Sequence, residues 1–285
     1  MKTIPLEELQ TGGANAPITA RSDLGTPPLN HTFRVQEEVA PGIPMDALVV
    51  NKGTPLVVVA LHGATNRETT VLPRFEWLRT LLGYDVSCIF FSDPTLQVSE
   101  SIQLTWYTGT ESWNGHAVVS EWSTELAELI GAERIIFMGS SGGGFAALQV
   151  SALTADSVAL AFNAQTEIAD YRVNGTGWGV VREYVQEVWP TIWSNLEPNG
   201  HIEDKAWADE AGVRVSAVKA YSIPTRNKVY LVQNREEFHF EDHYAPFLHA
   251  SRTAGNDVTP RLNAEGTLHN PPEGPDLPSR TANRA

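Results

Sequence analysis

Three kinds of side chain in this sequence suit nucleophilic catalysis. They are a serine set among glycines (Ser141), a group of acids (Glu236, Glu237 and Asp242), and a late histidine (His269). Ser141 is the centre of Gly139-Ser140-Ser141-Gly142-Gly143, a match to the pattern G-x-S-x-G. The flanks give the pattern its meaning. Residues 135–138 are apolar, with two β-branched isoleucines, and read as a buried strand. Residues 144–148 are small and amphipathic and read as the start of a helix. A strand that turns at once into a helix strains the central residue and lifts its side chain to the tip of the turn. The positions two before and two after come so close that glycine is needed there. The Ser141 hydroxyl would stand at the positive end of the helix, where a developing oxyanion is favoured. Ser140 falls one residue before the tip. A phosphate-binding loop would continue with Gly-Lys-Ser/Thr, which this sequence lacks.

A serine is a poor nucleophile at neutral pH. It needs a base within hydrogen-bond reach and a third group to orient that base. Acids follow an apolar run at 228–232, and His269 follows a last weak strand at 258–263, so the order serine, acid, histidine is available. His62, in His62-Gly63-Ala64, reads as a structural residue of its loop. His239 and His243 stand four apart, a spacing that some zinc sites use. The first is not followed by Glu and no third ligand is evident, so no metal or cofactor is expected. One of these two histidines is expected to pack near the acid.

The elements that would position these groups alternate along the chain. Residues 32–39 and 46–50 read as half-buried strands. Residues 56–61 are apolar on both faces, as in a central parallel strand. Leu72, Phe75, Leu78 and Leu82 recur at helical spacing, with Gly83 as the stop. Strands are expected at 86–91 and 157–162, and a helix whose stripe ends at Gly131. Residues 168–224 are rich in aromatics and read as a mostly helical insertion over the sheet edge, whose aromatics form its own core or, as the alternative, a sugar-stacking cap. Another helix begins near Tyr244. Strand–helix alternation of this kind makes a mostly parallel sheet covered on both faces, with ligands bound beyond the carboxyl ends of the strands. His62-Gly63, Ser141, Asn163, Gln165, Glu237 and His269 would meet at that edge. Residues 1–30 read as an extended lead-in, 31–272 as one domain, and 273–285 as a flexible tail.

Length and composition are consistent with this. A chain of 285 residues, 42% hydrophobic, buries about 75% of its unfolded surface and can hold a full core. A net charge of −14 argues against nucleic acid and anionic membranes as partners. The single cysteine, Cys88, allows no internal disulfide. The first residues lack an apolar signal core and no run is long enough to span a membrane, so a cytoplasmic location is expected. Nothing in the sequence reports the oligomeric state.

This order of elements and motifs resembles the α/β-hydrolase superfamily, across roughly residues 33 to 272. A shorter stretch is similar to the hydrolase-like glycan O-acetyltransferase subunits of accessory secretion systems. It comprises Gln233-Asn234-x-x-Glu237, His239, His243, Pro246-Phe247 and a histidine before Pro271-Pro272. The resemblance implies a single-domain α/β-hydrolase fold with a helical cap. It implies Ser141 as nucleophile, His269 as general base and Glu237 as the orienting carboxylate, with the amides of Gly142 and Ala64 as the oxyanion hole. Glu236 and Asp242 compete with Glu237. The sequence departs from the usual pattern in having Glu for Asp and almost no helix after His269. The activity implied is ester hydrolysis through an acyl-serine, on a glycan or small-molecule ester. Acyl transfer through the same intermediate and a non-catalytic binding role are the alternatives.

Overall fold

The computed structural model describes residues 1–172, 177–196 and 202–263. In chain order its strands are β1 (Ile4–Pro5), β2 (Ile18–Thr19), β3 (His31–Ala40), β4 (Ile43–Asn51), β5 (Leu56–Leu61), β6 (Ser87–Ser92), β7 (Gly109–Thr110), β8 (Trp113–Asn114), β9 (Arg134–Ser140), β10 (Val158–Phe162), β11 (Lys228–Asn234) and β12 (Asp257–Asn263). Helices α1 (Leu78–Leu81), α2 (Gly115–Leu129) and α3 (Gly142–Leu153) fall among them. The stretch between β10 and β11 carries α4 (Gly179–Val188), α5 (Pro190–Leu196), α6 (Ala206–Ala211) and α7 (Ala217–Ala220); α8 (Ala245–Thr253) precedes β12.

The main sheet runs β1-β3-β4-β6-β5-β9-β10-β11-β12, with β2 beside β3. The pairs from β6-β5 through β11-β12 are parallel. The pairs β1-β3, β3-β4 and β4-β6 are antiparallel. The doubly apolar run of β5 has the physical basis expected of it. Val57, Val59 and Leu61 pack with α2 and α3 on one face. Val58 and Ala60 meet α1, Phe75, Cys88 and Phe90 on the other. Residues 1–30 run along the antiparallel edge, lending it β1 and β2, turning in 3₁₀ turns at Leu6–Glu8, Thr11–Gly13 and Arg21–Asp23, and burying Ala16.

One expected element is much shorter than its periodicity suggests. The spacing of Leu72, Phe75, Leu78 and Leu82 gives only the single turn of α1. Pro73 removes a backbone donor, and Trp77 sits in the left-handed region at φ 69°. Upstream, the chain is held by Arg74, whose Nη1 donates to Ala64 O at 2.6 Å and to Thr65 Oγ1 at 3.2 Å. No helix among the described residues is long and apolar enough to cross a membrane.

Candidate active site

Ser141 is the hinge between β9 and α3. Its backbone stands at φ 56° and ψ −120°, a region that residues with a side chain seldom occupy. The neighbouring glycines make the turn possible. A Cβ on Gly139 would collide with the backbone of Gly143, and one on Gly143 with the carbonyl of Leu61. The elbow is tied down on both sides: Ser141 N–H donates to Phe162 O at 3.0 Å, and Phe145 N–H donates to Ser141 O at 3.1 Å. Ser140 ends β9, paired with Phe162. Gly142 opens α3, where the first amides of a helix have no partner in its own ladder.

The chain leaving β5 lies against this turn. A Cβ on Gly63 would be 3.7 Å from Ser141 Cβ and 3.9 Å from Gly142 N. The Gly63 amide is committed, donating to Glu76 Oε2 at 2.9 Å. The next amide, that of the exposed Ala64, takes no hydrogen bond among the described residues. His62 is a structural residue. Its Nε2 accepts from the Asp93 amide at 2.9 Å, which makes Nδ1 the protonated nitrogen, donating to Gly63 O at 2.8 Å. Burial pushes this imidazole down to about 3, so it stays neutral.

At the end of β11, one acid stands apart from its rivals. Glu236 and Asp242 are exposed, whereas Glu237 is buried. Its Oε2 accepts from the His239 amide at 2.7 Å and from Gln233 Nε2 at 3.2 Å. Its Oε1 lies 3.4 Å from His239 Nδ1. His239 thus packs beside the acid, as expected of one of the pair. Its ring meets that of His243 nearly edge to face, the centroids 4.9 Å apart. The two do not stack along an α-helical face because Phe240–Tyr244 is a π-turn. His243 Nδ1 accepts from the Thr166 amide at 3.3 Å, and burial pushes it down to about 3. Among the described residues no cluster of three His, Cys, Asp or Glu is set to hold a metal ion. His269 lies outside the described residues.

The loop after β10 joins the elbow to the acid. Asn163 Oδ1 accepts from the Asn234 amide at 2.8 Å, and Asn163 O lies 3.2 Å from His239 Nδ1. Two residues on, Gln165 Nε2 donates to Ser141 Oγ at 2.8 Å. Gln165 Oε1 accepts from Trp106 Nε1 at 2.6 Å. The sequence places Asn163 and Gln165 on the correct edge of the sheet but gives neither a role. The only available signal was their position just after a central strand.

Trp106 is held firmly. It and Tyr107 are both left-handed, at φ 51° and 59°, and both are fully buried. Asp93 organises the bend: Oδ1 accepts from Thr95 N–H at 2.9 Å, and Oδ2 from Thr105 Oγ1 at 2.6 Å and Tyr107 N–H at 2.8 Å. The insertion closes over the indole. Tyr184 and Tyr171 approach it edge-on, with centroids 5.0 and 5.8 Å away. The insertion's aromatics do not form a core of their own: Tyr184, Trp189, Trp207 and Tyr221 are buried in one cluster with Phe145 and Leu148 of α3, Ala159 and Ala161 of β10 and Phe247 of α8. Tyr171 differs, because its ring also reaches His239, 5.8 Å between centroids. Burial and then the charge of Glu237 raise its phenol above the usual range.

The sequence matches no protein-family model and no curated protein. The fold, in contrast, is shared widely. Acylaminoacyl peptidase of Pyrococcus horikoshii is similar with a TM-score of 0.56 at 15% identity, over 84% of this chain and 37% of that one. The chain therefore spans little more than a third of that peptidase. The capsule O-acetyltransferase of Neisseria meningitidis serogroup A is similar at 0.56 and 12% identity, over 82% of this chain and 87% of that one. Carboxyl esterase 2 of Tuber melanosporum is similar at 0.52 and 14% identity, over 89% and 83%. With the strand order above, these likenesses define an α/β-hydrolase fold.

Proposed function

We propose that this chain is a serine hydrolase that cleaves carboxylic esters through an acyl-Ser141 intermediate. The observation that carries the reading is the backbone of Ser141, held at φ 56° between β9 and α3 with the His62-Gly63-Ala64 loop against it. Strain of this kind persists only where the surroundings enforce it, and it gathers at functional sites. In this reading Ser141 Oγ attacks the acyl carbon and passes its proton to His269. Glu237 orients the imidazole and stabilises its charged form. The amides of Gly142 and Ala64 bind the oxyanion. The imidazolium then protonates the departing alcohol, and water, activated by the same base, releases the acid. Glu237 is preferred to Glu236 and Asp242 because it alone is buried. The insertion caps the approach, which favours short acyl groups on a glycan or small molecule. A serine-directed fluorophosphonate probe tests the reading. The wild-type chain and Ser140→Ala should be labelled and Ser141→Ala should not. Labelling of Ser141→Ala would sink the assignment.

A second reading has one specific support, the extent of the likeness to the capsule O-acetyltransferase over most of both chains. In that reading the acyl group on Ser141 passes to a sugar hydroxyl instead of water. Adding alcohol or sugar acceptors to a p-nitrophenyl acetate assay separates the two: a transferase yields the acetylated acceptor in preference to acetate.

A further inference from the structure

We propose that Gln165 is a catalytic residue, a fixed donor that holds Ser141 Oγ and stabilises it each time it carries negative charge. The inference rests on the reading of Ser141 as the nucleophile. A carboxamide presents an oxygen and a nitrogen of nearly the same shape, and only its partners tell them apart. Here the partner decides. An indole N–H can only donate, so the atom 2.6 Å from Trp106 Nε1 is the oxygen. The amino group therefore faces Ser141 Oγ, at 2.8 Å. Oγ is thus an acceptor toward Gln165, which leaves its own proton to another acceptor.

Every link behind this donor is immobilised. Gln165 and Trp106 are both fully buried. The Gln165 amide donates to Ser141 O at 3.4 Å, and the Trp106 carbonyl pairs with His116 Nε2 at 2.8 Å. Burial pushes His116 down to about 4, so it stays neutral and Nε2–H is the donor. A donor fixed in this way costs no reorganisation when charge develops. During acylation the Oγ–H bond breaks, its proton goes to the base, and an Oγ lone pair forms the bond to the acyl carbon. The Gln165 N–H bond is not broken; its hydrogen bond strengthens as Oγ becomes more anionic. During deacylation the bond between Oγ and the acyl carbon breaks. Oγ leaves with the electron pair and takes a proton from the base, and the same N–H stabilises it on the way.

Gln165→Glu tests this with almost no change in shape. The carboxylate still accepts from Trp106 but cannot donate to Oγ, and it competes for the serine proton. Acylation by p-nitrophenyl acetate and phosphonylation by the fluorophosphonate probe should fall about 100-fold at pH 8, the order of loss when one preorganised donor at a reacting oxygen is removed. The ratio of variant to wild-type rate should rise as pH falls, because the introduced carboxyl group, once protonated, regains an O–H donor. Loss of packing alone would give a ratio independent of pH. Trp106→Phe keeps the ring but frees the carboxamide to turn, and should slow acylation about 10-fold. It serves if the Gln165→Glu variant fails to fold by circular dichroism. A labelled wild type with Gln165→Glu within threefold at pH 8, with a flat ratio, or with Trp106→Phe at full rate overturns the role of Gln165. An unlabelled wild type overturns the nucleophile reading itself.

Discussion

Two loops at the carboxyl edge of the sheet, after β5 and after β11, both use buried histidines, and they use them differently. After β5, each His62 ring nitrogen is matched to a main-chain group, Asp93 N–H and Gly63 O. The ring is a wedge that shapes the loop carrying Gly63 and Ala64. After β11, His239 stands beside a carboxylate: Glu237 Oε1 is 3.4 Å from its Nδ1 and Oε2 accepts its amide. That loop gathers a charge at the carboxyl edge of the sheet and joins it through Asn163 to the strand next to Ser141. A histidine bonded to backbone on both sides holds a shape. His239 has a backbone carbonyl, Asn163 O, and a buried acid at the same ring nitrogen, the arrangement on which the proposed role of Glu237 rests. Partners, rather than burial, separate the two, since both histidines are almost completely buried.

The sharpest way to break this comparison is to neutralise one acid on each side. Glu237→Gln keeps the size and removes the charge. If Glu237 orients the base, kcat for p-nitrophenyl acetate should fall about 10³- to 10⁴-fold while labelling stays measurable through the oxyanion hole. Glu236→Gln and Asp242→Asn, both exposed, should stay within about twofold, as surface changes do. Glu76→Gln, on the His62 side, still offers an oxygen to Gly63 N–H and should cost under about tenfold. Equal losses for Glu76 and Glu237 would erase the distinction between the loops.

The next effect is one of stability. His62→Ala strips a buried acceptor from Asp93 N–H and a donor from Gly63 O, at about 1–3 kcal/mol for each buried group left unmatched. Urea unfolding should show a loss of about 2–6 kcal/mol. The folded fraction should keep the wild-type pH profile of kcat, because this imidazole carries no proton in the reaction. A changed profile would move His62 into the chemistry.

Much of this frame was legible in the chain. The run 56–61 is apolar at every position, and only a strand covered on both faces needs that. Gly139 and Gly143 announced an elbow because nothing larger fits. Three things were not legible, for physical reasons. The stripe from Leu72 to Leu82 counted side chains but not the backbone, which Pro73 and the left-handed Trp77 interrupt. Glu236, Glu237 and Asp242 all follow the same strand, and only tertiary burial distinguishes them. Gln165 owes its orientation to an indole 59 residues away, a pairing that no local pattern encodes. His269, the base in the proposed mechanism, lies outside the described residues, and the variants of Glu237 are its nearest structural test.

The smallest effect is the dependence of stability on pH, and it follows from the same loops. Burial lowers His62 and His243 to about 3 and His116 to about 4, all from 6.5. It raises Asp93 from 3.8 to about 6 and Glu167 from 4.5 to about 7. A lowered imidazole means that the unfolded chain binds the proton first, so stability is lost as pH falls below 6.5. A raised carboxyl works the other way, because the folded chain binds the proton first. Between about pH 4.5 and 6 all five groups act together. His62 is offset by Asp93 beside it, and His243 by Glu167, next in sequence to the Thr166 that bonds it. His116 remains, so one net proton favours the unfolded state. The contribution of these five groups to the unfolding free energy should therefore drop by about 1.4 kcal/mol per pH unit on acidification through this window. His243→Asn keeps an acceptor for the Thr166 amide and removes one imidazole, leaving two against two, so the slope should fall below that of wild type by about 1.4 kcal/mol per pH unit. Urea titrations at pH 6, 5.25 and 4.5, about evenly spaced across the window, decide the matter. A slope that His243→Asn leaves unchanged would mean that this imidazole is not held neutral in the folded chain.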